Sequence, residues 1–460
     1  MEKGYVRPLG RRSMVPVPRR VSARSRASAS PELPGPDWVL AGRGLVDGHL
    51  QPIEIGISDG GTIVALGRDL HAPARHDVGE SVVLPSATDL HVHFRDPGGP
   101  ADAENFAAGT IEAALGGVGL VADMPNTRPV VTDASRLEEK RARVTGRAAV
   151  DVLLYGALTA TSRVDQLAMA AGALKLYLSP TTGVERPPTR DEIPGLLRRA
   201  AASGLPLTVH AEDPDQFVVE PPPTSLSDWD RARPRTAEAA AVEEVIAAAP
   251  RELRLHFAHV TSARIAERIA KAGHSFEASP HHLLLSRSSK LGPRAKVNPP
   301  LRSEEERAHL WELFALGGVP CLASDHAPHA ASAKDVAFPL APSGMPNVET
   351  MLPLLLAKVR TGELDLARLT AAAMDRPSRW IGQPRGRVAL GHRADLLVVD
   401  FRARRRIAAR DLHAPCGWTA FEGCEGIFPR EHYRAGERIV LAGEYIGTPT
   451  GVVRRPEFAA

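Results

Sequence analysis

The stretch DLHVHFRDPG, residues 89–98, alternates apolar side chains with two histidines and closes on a turn. In an extended strand, residues i and i+2 point to the same side. His91 and His93 therefore share one side of a strand, and Arg95 continues the same spacing. Two imidazoles that converge on one point are typical ligands of a divalent transition metal such as zinc. Alone, such a pair is a weak signal, because ordinary burial explains most histidine pairs.

Seven further apolar runs of strand length follow this one in the chain. Together the eight runs are TDLHVHF (88–94), GLVADMP (119–125), DVLLYGAL (151–158), ALKLYLS (173–179), LPLTVHAE (205–212), LRLHFAHV (253–260), HSFEASPH (274–281) and VPCLASDH (319–326). Most are separated by helical patterns, such as those at 104–117, 190–204, 235–249 and 262–273. Eight β/α alternations in about 250 residues predict an α/β fold, a TIM (β/α)8 barrel, whose active site lies at the carboxyl ends of the strands.

The segments on either side of this alternation have a different sequence pattern. Residues 37–84 and 385–450 contain short β-branched runs punctuated by glycine, which predict one small β-sandwich domain built from both ends. The barrel then occupies residues 85–384 as the catalytic domain. Residues 1–36, rich in Arg, Ser and Pro, predict a disordered tail, although a transit peptide has a similar composition. Residues 213–234 contain three consecutive prolines and predict a long surface loop.

The composition narrows the class of protein. Of the 460 residues, 43% are hydrophobic and 24% charged, as in soluble globular proteins, and no run approaches the roughly 18 apolar residues of a membrane span. Residues 1–30 carry a net charge of +7, so the +3 of the whole chain leaves −4 on the remainder, and we expect no nucleic-acid binding by the body. Three widely spaced cysteines predict no disulfide framework, which favours a cytoplasmic location.

Polar residues occupy the ends of several predicted strands. His210 ends the fifth run, His259 lies near the end of the sixth, and Asp325 lies near the end of the eighth. Lys175 lies inside the fourth run, where burial of an ammonium is costly. One interpretation is a lysine whose head reaches water. The other is a neutral amine that carbon dioxide carboxylates, so that it becomes an anionic ligand bridging two metals.

With these residues in place, the chain resembles the dihydroorotases of the amidohydrolase superfamily that carry a carboxylated lysine. The resemblance rests on DLHVHFRDPG, ADMPNTRP, KLYLSPTTG, VHAED, FAHVTS, SPHHL, KVNPPLR, ASDHAPH and GMPNVETMLPLLL, and extends through GHRADLLVVD and GWTAFEG to about residue 423. It implies two divalent metal ions, for which zinc is the expected element. His91 and His93 would bind one metal, His210 and His259 the second, and carboxylated Lys175 would bridge them. Asp325 would complete the first site and act as general base and acid.

Arg95 is the best sequence indication of the substrate. It could form an ordinary surface ion pair, or its planar guanidinium could hold a substrate carboxylate through two hydrogen bonds. Dihydroorotate carries a carboxylate on its ring, whereas allantoin and simple hydantoins do not. The resemblance adds Asn126 and His329 to the same carboxylate, and places Asn298 and the backbone around Gly344 at the ring edge.

Three functional hypotheses follow for a small-molecule enzyme of this kind. The first is a dihydroorotase, which interconverts N-carbamoyl-L-aspartate and dihydroorotate in pyrimidine synthesis. The second is a related cyclic amidohydrolase acting on allantoin or a hydantoin. The third is a non-catalytic homologue that scaffolds a carbamoyltransferase. The six filled ligand positions argue against this third hypothesis, because such homologues lose metal ligands. A homo-oligomer and a carbamoyltransferase partner both stay open.

Overall fold

In the computed structural model of this chain, residues 35–46, 48–99 and 104–458 are described. The predicted disordered tail, residues 1–36, lies almost entirely outside the described residues. The rest belongs to one compact unit that starts at Gly35. Within the described part of the chain, no helix combines the length and the apolar character needed to cross a bilayer.

The first four strands belong to a sheet that flanks the barrel. They are β1 (Trp38–Val46), β2 (His49–Ile57), β3 (Ile63–Gly67) and β4 (Ala74–Pro85). β1 pairs antiparallel with β2 and parallel with β4. The last five residues of β4 are buried, and β5 begins two residues after β4 ends. The flanking sheet therefore leads directly into the first barrel strand.

The barrel contains the eight predicted parallel strands in sequence order. They are β5 (Ala87–Val92), β6 (Val118–Asp123), β7 (Asp151–Ala157), β8 (Ala173–Tyr177), β9 (Leu207–His210), β10 (Leu255–Phe257), β11 (Ser275–Ala278) and β12 (Cys321–Leu322). The seam between the last and first strands is bridged by Val92 and His326, and the His93 amide donates to His326 O at 2.7 Å. The prediction of an eight-stranded barrel is confirmed.

Helices follow most barrel strands and cover the outside of the barrel. They are α1 (Phe106–Leu115), α2 (Ala134–Val144), α3 (Val164–Ala170), α4 (Ile193–Ser203), α5 (Leu226–Ala232), α6 (Arg235–Ala248), α7 (Ala263–Lys271), α8 (Pro280–Leu284), α9 (Glu304–Ala315), α10 (Ala331–Lys334), α11 (Met351–Arg360), α12 (Leu366–Thr370) and α13 (Arg376–Trp380). The four predicted helical patterns correspond to α1, α4, α6 and α7. Side-chain caps fix several starts; Asn105, for example, accepts from the amides of Ala107 and Ala108.

The segment 213–234 differs from the predicted loop, because it contains α5. Ser225 caps this helix by accepting from the Asp228 amide, and Trp229 anchors it by donating from Nε1 to Val297 O at 2.9 Å. The three prolines lie before the cap, where they do not interrupt the helix. The prediction gave weight to the prolines and missed the capping residue behind them.

Of the last seven strands, four complete the flanking sheet, two pair with each other and one pairs with a barrel strand. They are β13 (Leu396–Val399), β14 (Arg405–Arg406), β15 (Glu425–Gly426), β16 (Glu431–Arg434), β17 (Glu437–Leu441), β18 (Glu444–Tyr445) and β19 (Val453–Arg454). β13, β16, β17 and β18 join the first four strands in one eight-stranded, mostly antiparallel sheet. A small β-domain built from both flanking segments was expected, and strands from both segments meet here. The exact domain boundaries stay a prediction.

β19 pairs in parallel with the start of β7, and an ion cluster holds it there. The buried Asp151 carboxylate contacts four guanidinium groups from the C-terminal part of the chain: Arg385 at 2.6 Å, Arg393 at 2.5 Å, Arg434 at 3.2 Å and Arg454 at 2.7 Å. Burial alone would raise the pKa of Asp151, but these arginines lower it below its ordinary value. Asp151 therefore fastens the C-terminal segment to the amino end of the barrel.

Replacing Asp151 by Asn should destabilise the protein by about 3–5 kcal/mol, since the buried Arg434 and the partly buried Arg454 lose their only carboxylate partner in the described part of the chain. Arg385 and Arg393 keep a contact with Asp395. Urea unfolding monitored by circular dichroism measures this change. Asp400→Asn, which removes the partner of the exposed Arg402, is the matched control and should have little effect.

The same substitution should also change how the stability of the protein depends on pH. Because the folded-state pKa of Asp151 is lowered, its contribution to stability is present above the unfolded value of about 4 and is lost as pH falls below it. The stability of Asp151→Asn should therefore fall less steeply than that of the parent chain between about pH 5 and about pH 2. Equal acid sensitivity of the two proteins would contradict this account of the cluster.

Candidate active site

Six polar side chains converge at the carboxyl end of the barrel. His91 lies in β5 and His93 directly follows it, Lys175 lies in β8, His210 ends β9, and His259 and Asp325 follow β10 and β12. All six are buried, with Lys175 completely so. Strand ends that lie far apart in sequence meet here because parallel strands of a barrel all end at the same rim.

The first group consists of His91, His93 and Asp325. Nε2 of His91 lies 3.2 Å from Nε2 of His93, and each of these nitrogens lies 3.4 Å from Oδ1 of Asp325. Burial, followed by the charge of Lys175, lowers the pKa of His91 to about 4. A neutral imidazole has a free electron pair, so the three atoms have the spacing and chemistry of metal ligands.

The second group consists of His210 and His259. Nδ1 of His210 lies 3.1 Å from Nε2 of His259, and the two rings meet edge to face at 4.7 Å. Burial lowers the pKa of both imidazoles, so both are neutral at ordinary pH. The His259 ring also lies 5.2 Å from the ring of His91, which places the two groups side by side.

Lys175 contributes a buried amine to the same region. Among the described residues its Nζ has no hydrogen-bond partner, and it lies 5.3 Å from the ring centre of Tyr177. Burial lowers the pKa of this amine to about 8, although the carboxylates of Glu277 and Asp325 oppose the shift. A fraction of the amine is therefore neutral and nucleophilic near pH 7. An unpaired buried amine in the same region as these imidazoles fits a carboxylated lysine that bridges two cations.

Carboxylates outside the predicted set orient the histidines. Glu277 in β11 accepts from Nδ1 of His91 at 2.5 Å and contacts Nε2 of His256 at 3.0 Å, while Glu212 contacts Nε2 of His210 at 2.7 Å. These contacts turn the opposite nitrogens of His91 and His210 toward the site. One signal for Glu277 is visible in the sequence, since an acidic residue inside an apolar strand needs a buried partner.

Backbone strain is concentrated at the same rim. Arg95, His259 and Asp325 have φ angles of +58°, +36° and +47°, a region that non-glycine residues rarely adopt. Such conformations cost on the order of 1–3 kcal/mol each and persist where surrounding structure enforces them. Here they aim three predicted functional side chains into one cleft.

The predicted substrate residues surround this cleft. It is lined by the five predicted histidine and aspartate ligands together with Arg95, Asn126, Tyr177, Pro180, Thr181, Thr182, Asn298, Ala327, Ser343 and Gly344. His329 lies just behind the lining, with its Nε2 3.1 Å from Nη2 of Arg95. Asn126 is already engaged through Oδ1, which lies 2.8 Å from Nδ1 of His93, and its amide nitrogen faces Thr181.

Arg95 has no carboxylate partner among the described residues. Its guanidinium donates to Pro328 O and faces Nε2 of His329, and that same nitrogen lies 3.0 Å from Ser343 O. A neutral imidazole nitrogen cannot accept from Arg95 and donate to Ser343 O at once, so one of these contacts is unmatched in either tautomer. An anion beside Arg95 would resolve this conflict by accepting the arginine's hydrogen bonds.

A second cluster of buried ligand-type residues lies behind the cleft, but it does not fit a metal. It consists of Glu104, Glu112 and His326. Nδ1 of His326 accepts from the amides of Asn347 and Val348, so Nε2 carries the proton and donates to Glu104 at 3.1 Å. A protonated nitrogen cannot bind a cation. The cluster therefore fixes the backbone next to Asp325.

Comparison with known proteins gives consistent results. A family model described as "Dihydro-orotase-like" matches residues 80–177. Proteins named dihydroorotase include one from Halobacterium salinarum, 38% identical over 398 residues (84% of this chain and 92% of that protein), and one from Methanosarcina acetivorans, 32% identical over 418 residues (85% and 89%). A third, from Geobacillus sp., is 33% identical over 401 residues (83% and 93%).

Solved structures similar to this chain share its fold. An L-hydantoinase (dihydropyrimidinase) from Arthrobacter aurescens superposes with a TM-score of 0.85 at 24% identity, covering 90% of this chain and 98% of that one. A dihydropyrimidinase from Brevibacillus agri gives 0.83 at 24% identity, covering 92% and 99%. At this level of identity the likeness establishes the barrel and its flanking sheet, and nothing about substrate.

The orienting role of Glu277 leads to a prediction. Glu277→Gln keeps the shape but weakens the hold on His91, so affinity for a divalent cation should fall about ten- to hundred-fold. Titration of the metal-free protein with zinc measures this. Glu243→Gln, at an exposed partner of Arg268, should bind zinc like the parent chain. Equal zinc affinity in Glu277→Gln would remove the case for this contact.

Proposed function

This chain belongs to the dihydroorotase family, and from that membership we propose that it interconverts N-carbamoyl-L-aspartate and dihydroorotate, a step of pyrimidine synthesis. The observation that carries this choice of substrate is the Arg95 guanidinium, which lines the same cleft as the ligand groups, is partly buried and has no carboxylate partner among the described residues. Both compounds carry a carboxylate that can occupy this place. Allantoin and simple hydantoins lack one and would leave the charge unmatched.

We propose that the site holds two divalent cations, with zinc as the expected metal. His91, His93 and Asp325 would hold one, His210 and His259 the other, and carboxylated Lys175 would contact both. Ions held there would lower the pKa of a shared water molecule and polarise the amide carbonyl of the substrate. The unpaired Nζ of Lys175 supports the bridging role, since a neutral amine adds to carbon dioxide and releases one proton.

Asp325 is proposed as the proton carrier. In ring opening it would accept a proton from the attacking water and deliver it to the ring nitrogen as the carbon–nitrogen bond breaks. In ring closure the same steps run in reverse, with the amide nitrogen attacking the carboxyl carbon and water leaving. Contacts with His91 and His93 lower the pKa of Asp325 despite its burial, so it starts as a carboxylate.

The remaining residues are proposed to hold the substrate. Arg95, with His329 and the Asn126 amide, would take the carboxylate, and Asn298 with the backbone at Gly344 would meet the ring edge. The filled ligand set supports an enzyme over a non-catalytic scaffold. Three free cysteines, two of them buried, support a cytoplasmic location. A homo-oligomer or a carbamoyltransferase partner stays a prediction.

Arg95 gives the first test of this proposal. Arg95→Lys keeps the charge but loses the planar pair of donors, so kcat/KM for dihydroorotate should fall about ten- to hundred-fold, from a loss of about 1.5–3 kcal/mol. Steady-state kinetics measure the loss, and bound metal should be unchanged. Arg402→Lys, at an exposed arginine, is the control.

A second substrate separates recognition from general damage. A hydantoin without a carboxylate should be a poor substrate of the parent chain, and Arg95→Met should reduce its turnover far less than that of dihydroorotate. An equal loss for both substrates, or a loss of metal, would mean that Arg95 is structural.

Lys175 gives an independent test of the bridging ligand. Lys175→Ala should lack activity and regain part of it in short carboxylic acids, because a free carboxylate can occupy the bridging position. Assays with and without added acetate or propionate measure the rescue, and Lys290→Ala, at an exposed lysine, serves as control. Full activity of Lys175→Ala without any acid would show that no carboxylated lysine is needed.

A further inference from the structure

The segment 335–345, here called the mouth loop, joins α10 to the cleft and carries Ser343 and Gly344 into its lining. It has no regular strand or long helix of its own, so its position depends on individual contacts. Two buried lysines, Lys334 and Lys296, supply many of them. Neither lysine pairs with a carboxylate among the described residues, which is unusual because a buried ammonium without a counter-charge is costly.

Lys334, at the end of α10, is completely buried. Its Nζ donates to three backbone carbonyl oxygens: Pro342 at 2.7 Å, Gly344 at 3.0 Å and Lys296 at 3.2 Å. An ammonium group has three N–H donors, and each finds one acceptor here. The side chain therefore ties both sides of Ser343 to the barrel through a single nitrogen.

Lys296 holds the outer half of the same loop. Its Nζ donates to Phe338 O at 3.1 Å and Pro339 O at 3.2 Å, and lies 4.6 Å from the ring centre of Trp229. Its carbonyl oxygen accepts from the Gly344 amide at 2.9 Å as well as from Lys334. The two lysines thus form one clamp, and Gly344 is fixed through both its N–H and its C=O.

The clamped residues touch the groups proposed to bind substrate. Ser343 O lies 3.0 Å from Nε2 of His329, and the Ser343 hydroxyl donates to Oδ1 of Asn298 at 3.2 Å. Gly344 has a φ of +132°, and a Cβ placed there would lie 2.5 Å from Ala327 O. The loop is therefore packed against the cleft so closely that a small shift of its backbone would move His329 and Asn298.

We propose that Lys334 is a positioning residue for substrate binding, which sets the place of Ser343 and Gly344 through their flanking carbonyls and takes no part in bond making or breaking. This inference rests on the proposed function for its substrate. The clamp itself concerns only the position of the mouth loop, so its effect on the loop can be measured without any substrate.

The test compares Lys334→Met, which keeps the length but has no donors, with Lys290→Met, at an exposed lysine. Loss of hydrogen bonds to a charged group, about 1.5–3 kcal/mol, should raise KM for dihydroorotate about ten- to hundred-fold. We expect kcat to change less than about three-fold, since the ligand groups stay in place. Bound metal should equal that of the parent chain.

Hydrogen–deuterium exchange supplies the readout that needs no substrate. Amides of residues 335–345 should exchange faster in Lys334→Met than in the parent chain, while amides of β6 and β7 keep their protection. Lys296→Met removes the other half of the clamp and carries the same test if Lys334→Met does not fold.

The outcomes separate the two proposals. If the parent chain does not turn over dihydroorotate, the proposed function fails, and exchange still decides whether the clamp exists. Unchanged exchange in the mouth loop, or an unchanged KM beside a normal parent enzyme, overturns the role of Lys334. A joint loss of kcat and metal also overturns it, because the lysine would then support the metal groups and not the substrate.

Discussion

The structure of the barrel mouth depends on the burial of one amine. Lys175 lies within the barrel in the same region as the four histidines of the candidate site, and within the described residues its nitrogen has no hydrogen-bond partner. A lysine in such a place is a cost to folding unless its charge is changed or compensated. Carboxylation with two bound cations would turn that cost into a set of strong contacts, and the surrounding histidines already have the orientation that this arrangement needs.

Several other features serve to hold that arrangement in place. Glu277 and Glu212 fix which nitrogen of His91 and His210 faces the site, and the Glu104–His326 contact fixes the backbone beside Asp325. The strained backbone at the rim is possible because these contacts and the barrel seam enforce it. On the substrate side, the two clamp lysines perform the corresponding task for the mouth loop. Rigidity at the rim thus comes from buried polar contacts in addition to apolar packing.

The barrel could be predicted from sequence because it follows from local periodicity, whereas the assignment of metal ligands came from the resemblance to the dihydroorotases and stays a prediction. A strand pattern such as that around His91 shows which residues share a side, and the barrel rule places the strand ends together. Contacts between distant segments could not be predicted in this way. Asp151 meets Arg454 across 303 residues, and Glu277 meets His91 across 186 residues, and no local pattern contains such pairs. The clamp at Lys334 was missed for another reason, since backbone carbonyls leave no trace in the sequence.

A crystal structure of the zinc-loaded protein, with anomalous data at the zinc edge, tests the central claim most directly. We predict two anomalous peaks, one among His91, His93 and Asp325 and one between His210 and His259, with density for a carboxylated Lys175 joining them. A single peak, or an unmodified Lys175 amine beside the bound metal, would contradict the two-cation site on which this account is built.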